Sequence, residues 1–329
     1  MRKTFCEESL ATENDSAWSI ILAGGEGKRI SPIIERWLGF HKPKQYCTFV
    51  GKRSMFQHTL DRADNLSAPE HKATVIARFH KNEVLRQVEN RSSGIIIEQP
   101  INRDTAPGIF LPLTYVRASD PGATVVIYPS DHFVYPETLF LDFVRSALHA
   151  SKILKNQLIL LCARPDRLEL EYGWIVPGAK LGSVDGHYLR SVEQFHEKPD
   201  FGIARKAMSS GALWNTFVFV TQAGTLWQLG HRYCPEMMRQ FERLFKAINT
   251  SDEKSVLESV YRKLPQCNFS ADVLEHAVSN TAVLEMEGVL WCDWGRAERI
   301  ATTLDAIGKK PAFPLELVNT DSSLKARCA

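Results

Sequence analysis

Residues 24–29 combine three glycines with two cationic side chains directly after the apolar run at 20–23. Glycines at the end of a strand let backbone N–H groups approach an anion closely, and Lys28 and Arg29 add positive charge there. Such a loop suits a polyphosphate. The pattern is neither the G-K-S/T P-loop nor the G-x-G-x-x-G dinucleotide fingerprint. On these residues alone, a tight turn with a solvated basic pair therefore stays an open alternative.

A carboxylate, Asp131, follows a second apolar run at 124–128. In open α/β sheets, ligands bind beyond the carboxyl ends of the strands, and a carboxylate placed there is a natural Mg²⁺ ligand. The alternative is a solvated loop aspartate. We interpret the neighbouring His132 as a structural hydrogen-bonding group, and the sequence offers no persuasive Ser-His-Asp or Cys-His set for covalent catalysis.

The elements that would position these residues alternate between short apolar runs and amphipathic segments in the first half of the chain. This βαβ rhythm predicts an α/β fold of Rossmann-like type, with a mostly parallel sheet flanked by helices. The second half adds a smaller antiparallel portion. The predicted strands are 19–23, 74–77, 95–97, 124–128, 158–161, 188–195, 213–220, 282–285 and 289–292. The predicted helices are 80–90, 105–119, 139–154, 235–248 and 253–262.

No linker or internal repeat divides the 329 residues, so we expect one domain over residues 17–310. Residues 1–16 are interpreted as a flexible N-terminal tail and residues 311–329 as a C-terminal tail. The apolar runs are far shorter than the roughly 20 residues that cross a bilayer. We therefore expect a cytoplasmic protein without a membrane partner.

The overall charge and the cysteines exclude several classes of function. Forty basic and 38 acidic side chains give a formal charge of +2, so no global field would attract nucleic acid. The seven cysteines are an odd number, are widely scattered and contain no C-x-x-C pair. We predict reduced cysteines and no disulfide framework.

Short motifs along the chain resemble, in order, the signatures of the sugar-1-phosphate nucleotidyltransferases. The first two are G-G-x-G-x-R at 24–29 and P-K-Q at 43–45, and residues 102–107 resemble the N-R-x-T-A-P segment of the mannose-1-phosphate guanylyltransferase group in that family. Later matches are P-x-D-H at 129–132, Y-G-x-I at 172–175, F-x-E-K-P at 195–199, a W-N-T segment at 214–216 and W-x-D-x-G at 291–295. Single motifs of this length recur by chance, but their shared order along residues 20–300 is specific.

The sequence departs from the commonest family pattern in the first motif. Lys28 stands where threonine is usual, Ile30 stands for leucine, and a longer stretch at 31–41 precedes P-K-Q. Residues 268–274 resemble a family segment that usually reads S-x-D or S-x-E, and their role stays open.

The resemblance implies a role for individual residues and makes Mg²⁺ the expected cofactor. The catalytic residues would be Arg29, Lys44, Asp131 and Lys198, and the metal ligands Asp131 and Asp293. The nucleotide-binding residues would be Ala23, Gly24, Gly25, Gly27, Lys28, Arg103 and Thr105. The sugar-phosphate-binding residues would be Gly173, Glu197, Lys198 and Asn215. From its type alone, Thr105 is also a candidate helix N-cap.

The reaction implied by the resemblance is transfer of a nucleotidyl group from a nucleoside triphosphate to a sugar 1-phosphate, with release of pyrophosphate. Positioning and charge neutralisation would supply most of the catalysis. The motifs at 102–107 and 43–45 favour GTP and mannose 1-phosphate as partners. Another nucleotide and sugar pair, or a non-catalytic regulatory protein that binds a sugar nucleotide, are the alternatives, and homo-oligomerisation is left open.

Overall fold

The computed structural model describes residues 17–89 and 91–318. The N-terminal tail predicted at 1–16, residue 90 of the helix predicted at 80–90, and residues 319–329 lie outside the described residues. Residues 311–318 of the predicted C-terminal tail pack against the body. Phe313 is only 2% exposed, and the Ala312 N–H donates to the Phe49 carbonyl at 2.8 Å.

Strands form the centre of the described chain. They are β1 (Trp18–Ala23), β2 (Lys72–Ala77), β3 (Ile95–Gln99), β4 (Thr124–Pro129), β5 (Phe133–Tyr135), β6 (Leu158–Ala163), β7 (Trp174–Val184), β8 (His187–His196), β9 (Leu213–Gln222), β10 (Thr281–Glu285) and β11 (Leu290–Cys292). Among the described residues, nine of these strands form one sheet in the order β3-β2-β1-β4-β9-β6-β10-β8-β7. Strands β8 and β9 run against the direction of the other seven.

Helices cover the sheet. They are α1 (Ser31–Leu38), α2 (Met55–Asp64), α3 (Lys81–Gln87), α4 (Thr105–Ser119), α5 (Glu137–Ile153), α6 (Phe201–Ser209), α7 (Ala223–Tyr233), α8 (Pro235–Ala247), α9 (Glu253–Lys263) and α10 (Ala297–Asp305). In the described part of the chain, none of these helices has the length and apolar character needed to cross a membrane.

The central strands are buried on both faces, which is why they appear in the sequence as continuous apolar runs. In β4, Val125 and Ile127 pack into the core beneath α4, α7 and α8, whereas Val126 and Tyr128 pack into the core beneath α5. This alternation follows from the two-residue period of a strand. The predicted α/β fold with a mostly parallel sheet is confirmed.

A small antiparallel sheet pairs β5 with β11 and places Cys292 opposite Phe133. Asp131 lies just before β5 and Asp293 just after β11. This pairing therefore brings together two carboxylates that are 162 positions apart in the chain.

The long stretch at 31–41, which the sequence left without a role, contains α1. A proline in its first turn suits a helix start, and Gly39, with φ of 79°, ends the helix. Ile33 and Ile34 are buried against α10 and the Trp294 region. The insertion is therefore a packed helix beside the glycine loop.

Candidate active site

A cavity of about 380 Å³ opens where β1 and β4 end, and residues from nearly all the predicted motifs line it. This is the edge at which parallel α/β sheets bind ligands, and the volume suits a small molecule. The predicted site residues that line the cavity are Gly24, Gly25, Arg29, Thr105, Asp131, Gly173, Glu197, Lys198, Asn215 and Asp293.

Lys44 joins the Asp131 carboxylate to the backbone of Asp293. Its side chain is only 3% exposed, its Nζ lies 2.8 Å from Asp131 Oδ2, and the same Nζ donates to the Asp293 carbonyl at 2.5 Å. A buried ammonium is stable only beside such partners. Lys44 therefore contacts both proposed metal ligands from the floor of the site.

The glycine loop is held in shape by the residues after Lys44. Gln45 donates its side-chain N–H groups to the carbonyls of Ala23, at 3.0 Å, and Gly25, at 2.7 Å. Gly27 has φ of 62°, and a Cβ added there would lie 2.8 Å from Lys44 Cβ. The G-G-x-G-x-R and P-K-Q motifs are thus one packed unit.

Arg29 points into the cavity and pairs with two carboxylates. Its Nη1 donates to Glu171 Oε2 at 2.7 Å and its Nη2 to Asp293 Oδ2 at 2.8 Å. Gly295 makes room for this contact, because a Cβ added there would lie 2.7 Å from Arg29 Nη2.

The Oδ1 atom of Asp293 has all its hydrogen-bonding positions filled by donors of the protein. Oδ1 accepts hydrogen bonds from Tyr172 at 2.7 Å, from Arg299 at 2.8 Å and from the Gly295 N–H at 3.0 Å. Burial opposes ionisation of Asp293, but Lys44 and Arg299 outweigh it and hold the pKa well below its usual range. Asp293 is a fixed, ionised carboxylate whose Oδ2 faces Arg29.

Glu171 is the centre of a cluster of arginines above Asp293. It accepts from Arg29, Arg296 and Arg299, and Arg299 also reaches Glu169 at 2.7 Å. Burial alone would raise the pKa of Glu171, but the three arginines outweigh burial and lower the pKa from 4.5 to about 2. The cluster orients both Arg29 and the Asp293 side chain.

Asp131 is the more accessible of the two proposed metal ligands, with about 35% of its side chain exposed. Burial disfavours its charge, yet Lys44 and His132 lower its pKa below the usual value. The His132 Nδ1 lies 3.1 Å from the Thr216 carbonyl, which can only accept, so Nδ1 carries the hydrogen. His132 therefore ties the loop after β4 to β9.

The predicted sugar-binding residues meet around Gly173. A Cβ added at Gly173 would lie 3.0 Å from Glu197 Oε2 and 3.3 Å from Asn215 Cβ, and the Asn215 N–H donates to the Gly173 carbonyl at 2.8 Å. Lys198 lies 3.1 Å from Glu197 and is 59% exposed at its side chain. Three separate motifs thus form one wall of the cavity.

Helix α4 begins differently from the expectation. The N-cap is Asp104, whose carboxylate accepts from the Thr105 N–H at 2.6 Å. Thr105 is the first helical residue, and its hydroxyl accepts from the Phe269 N–H at 2.8 Å. The prediction of Thr105 as the cap was wrong because Asp104, a stronger capping type, precedes it.

Five predicted site residues do not line the cavity. Lys28 is 81% exposed and pairs with Glu26, and Arg103 donates its Nε to the Tyr261 carbonyl at 3.2 Å. The other three, Ala23, Gly27 and Lys44, shape the glycine loop and the carboxylate pair from behind.

The segment after Cys267 connects the two sides of the cavity. Asn268 donates to Asp104 at 3.1 Å, whereas Glu275 accepts from the Glu197 N–H at 2.6 Å. Asn268 and Ser270 also line the cavity. The segment at 268–274, left open by the sequence, therefore contacts the loop before α4, and Glu275, directly after it, contacts the loop that carries Glu197.

Sequence reasoning missed the residues that orient Asp293 and Arg29. Tyr172 lies inside a matched motif and Glu171 directly before it, but neither received a role, and Arg299 carried no signal. A hydrogen bond between Arg299 and Glu169 spans 130 positions. Such a contact leaves no local pattern in the sequence.

Comparison with known proteins supports the same family. The family model described as nucleotidyl transferase matches residues 18–310. The mannose-1-phosphate guanylyltransferase RfbM of Salmonella typhimurium is 30% identical over 84% of this chain and 56% of its own length. The xanthan biosynthesis protein XanB of Xanthomonas campestris is 29% identical over 92% of this chain and 62% of its own length. The chain thus spans little more than half of these relatives.

The solved structure of a Thermus thermophilus protein described as a mannose-1-phosphate geranyltransferase matches with a TM-score of 0.75. It is 24% identical, over 88% of this chain and 79% of that chain, so it supports the fold. The family expected from the motifs is confirmed by the family model.

Proposed function

We propose that this chain, which belongs to the nucleotidyl transferase family, transfers GMP from GTP to mannose 1-phosphate, forming GDP-mannose and pyrophosphate. The observation that carries the proposal is the convergence of Arg29, Lys44, Asp131 and Asp293 beside the wall formed by Gly173, Glu197 and Asn215. The choice of GTP and mannose 1-phosphate rests on the N-R-x-T-A-P motif and on the names of the relatives.

The triphosphate would lie against the glycine loop. The loop follows β1, has no side chain at Gly24 and Gly25, and is bordered by Arg29. A Cβ added at Gly24 would lie 2.6 Å from Gln99 Oε1, and Gln99 in turn lies near Gly108 at the start of α4. A nucleotide spanning the loop and the start of α4 would therefore meet backbone rather than bulky side chains.

The residues fit a magnesium ion. Asp131 and Asp293 are ionised oxygen donors that share Lys44 as a neighbour, and oxygen donors are what Mg²⁺ prefers. Asp293 Oδ1 is saturated by protein donors, so Oδ2 and the Asp131 carboxylate would hold the ion. When bound, Mg²⁺ supplies neutralisation of the charge on the reacting phosphates.

The protein's own part in the reaction is positioning. Arg29 would contact the nucleotide phosphates, and Lys44 would act from behind the cavity by holding Asp131 and the Asp293 backbone in place. Lys198 would pair with the phosphate of the incoming sugar. Glu197 and Asn215 would accept and donate hydrogen bonds at sugar hydroxyls. The sugar phosphate oxygen then attacks the α-phosphorus in line, and pyrophosphate leaves on the opposite side.

The test is a matrix of substrates. Pyrophosphate release is measured with Mg²⁺ for GTP, ATP, UTP and dTTP, each with mannose 1-phosphate and with glucose 1-phosphate. Release with GTP and mannose 1-phosphate alone is the expected result. Release with another pair would keep the reaction and correct the substrates. Nucleotide-sugar binding without turnover of any pair would instead support the regulatory alternative.

The cytoplasmic location expected from the sequence is also part of what we propose. Cell fractionation of the protein in its source organism tests it.

A further inference from the structure

Two cysteine side chains meet outside the cavity described above. The Cys234 Sγ lies 2.9 Å from the Cys267 Sγ. Cys234 occupies the corner between α7 and α8, and Cys267 lies in the irregular segment after α9. The other three cysteines in the described ranges, Cys47, Cys162 and Cys292, make their sulfur contacts with oxygen atoms.

The pair can be reached from solvent. Cys234 and Cys267 are 8% and 6% exposed, and both line an open surface cavity of about 330 Å³. This cavity shares no lining residue with the proposed substrate cavity. A small disulfide reagent can therefore approach the sulfurs without entering the substrate site.

The geometry points to a redox-modification site: we propose that a low-molecular-weight disulfide oxidises Cys234 and Cys267 to a reversible intrachain disulfide. A disulfide needs the sulfurs at about 2.05 Å, so they must approach each other by about 0.9 Å. That movement is smaller than the width of one atom.

The two thiols differ in reactivity. The hydrogen bond from Cys267 lowers the pKa of Cys234, against the opposing effect of burial, whereas the same hydrogen bond and burial raise the pKa of Cys267. The thiolate is the attacking species in thiol–disulfide exchange. Cys234, whose pKa is lowered, starts the exchange in this proposal, and because either sulfur can donate in their contact, the product is the same if Cys267 starts it.

The electrons and atoms balance in two exchange steps. The Cys234 thiolate attacks one sulfur of the reagent, forming a mixed disulfide and releasing one thiolate. Cys267 then loses its proton and attacks the Cys234 sulfur, releasing the second reagent thiolate. The protein loses two electrons and two protons, and the reagent is reduced to two thiols.

The bond would act on the loop before α4 and on the first turn of that helix. The backbone of Cys267 accepts from the Ala106 N–H at 3.0 Å and donates to the Arg103 carbonyl at 3.3 Å. Cys234, in contrast, is held by the ends of two helices, through hydrogen bonds with Gly230 and Met238. Because its segment is irregular, Cys267 is the residue that moves, and its hydrogen bonds to Arg103 in the loop and to Ala106 in the first turn of α4 are weakened.

Oxidised glutathione is the probe for the test. We expect the wild-type protein to lose the mass of two hydrogen atoms and to give one linked peptide pair containing Cys234 and Cys267. C234S and C267S should not form the link, whereas C162S should form it like the wild type. A protein that stays reduced, stops at a glutathione adduct or links other cysteines would overturn the proposal.

The effect of the disulfide on the start of α4 is tested by a separate measurement. Hydrogen exchange at the Ala106 amide should become about tenfold faster on oxidation of the wild type and should not change in C234S. Unchanged exchange in the oxidised wild type would overturn the proposed effect of the disulfide on the start of α4. Neither measurement uses a substrate, so both are independent of the proposed function. A loss of nucleotide affinity on oxidation is expected only on the basis of the proposed function, and it is measured in a separate binding experiment.

Discussion

The Arg29 Nη2 lies 2.8 Å from Asp293 Oδ2, although the two residues are 264 positions apart in the chain. Arg29 belongs to the glycine loop proposed to bind phosphate, and Asp293 is a proposed metal ligand. The guanidinium therefore lies against the carboxylate oxygen that the metal would use. Binding of nucleotide with metal must exchange this ion pair for contacts to phosphate and to the cation.

Removing Arg29 should strengthen metal binding in the absence of nucleotide. In R29A, Asp293 Oδ2 loses its partner and becomes free for a cation. We expect Mn²⁺, used as a paramagnetic probe of the Mg²⁺ site, to bind about threefold or more tightly, a modest gain because Arg29 is 48% exposed at its side chain. Turnover should fall in the same variant. Titration followed by electron paramagnetic resonance measures the affinity.

K28A is the matched control for that titration. Lys28 is adjacent in sequence and carries the same charge, but it pairs with Glu26 in solvent. Its removal should leave Mn²⁺ affinity as in the wild type. An equal gain in both variants would mean that general electrostatics, rather than the Arg29–Asp293 pair, controls metal binding.

A methyl group at Gly173 should impair use of the sugar phosphate. In G173A, the new Cβ would lie 3.0 Å from Glu197 Oε2 and 3.3 Å from Asn215 Cβ, so the wall of the cavity must shift. We expect the KM for the sugar phosphate to rise about tenfold, the effect of a change of about 1.4 kcal/mol, while the KM for the nucleotide changes little.

G224A controls for the substitution itself, because a Cβ at Gly224 meets nothing within 4 Å. That variant should keep wild-type kinetics. A larger rise in the nucleotide KM than in the sugar KM of G173A would contradict the assignment of this wall.

The Glu171 cluster should make stability depend on pH in the acid range. The pKa of Glu171 is lowered to about 2 in the folded protein from 4.5. Its stabilising contribution is therefore complete above the unfolded pKa and is lost as pH falls toward the folded pKa. Between about pH 6 and about pH 3, the wild type should lose roughly 1–2 kcal/mol more free energy of unfolding than E171Q.

Urea unfolding at a series of pH values measures this difference. E35Q is a suitable control, because Glu35 is about half exposed and lies on α1. It should follow the pH profile of the wild type. Parallel profiles for the wild type and E171Q would contradict the role of the cluster.

Much of the fold could be predicted because buried strands are continuous apolar runs. Strands β1, β4 and β6 have such runs and were expected close to their observed bounds. Strand β7 (Trp174–Val184) was not predicted, since its proline, two glycines and register shifts disrupt the two-residue alternation. Helix α1 was missed because residues 31–41 were described only as a longer stretch before P-K-Q, and no element was assigned to them.

The residues of the candidate site could be predicted where they belong to local motifs, and could not be predicted where they meet only through contacts between distant parts of the chain. Asp131 and Lys44 lie in short motifs, and the structure places them 2.8 Å apart. The contact between Arg299 and Asp293 and that between Cys234 and Cys267 arise only from tertiary packing. Adjacent residues of one motif can also differ in their surroundings: Arg29 lines the cavity, whereas Lys28 is exposed to solvent.

The most direct test of the central claim is formation of GDP-mannose and pyrophosphate from GTP and mannose 1-phosphate, compared between the wild type and D131N. Asp131 suits this test because it is partly exposed, whereas Asp293 pairs with the buried Arg299, so its loss would also destabilise the fold. D142N, at an exposed position on α5, is the control. We expect product from the wild type and D142N and a loss of roughly 10²–10³-fold in D131N. The variant should remain folded at the assay temperature, as thermal unfolding checks, because the amide oxygen at position 131 and the Asp293 carbonyl can still accept from Lys44. Turnover in D131N equal to that of the wild type would contradict the proposed site.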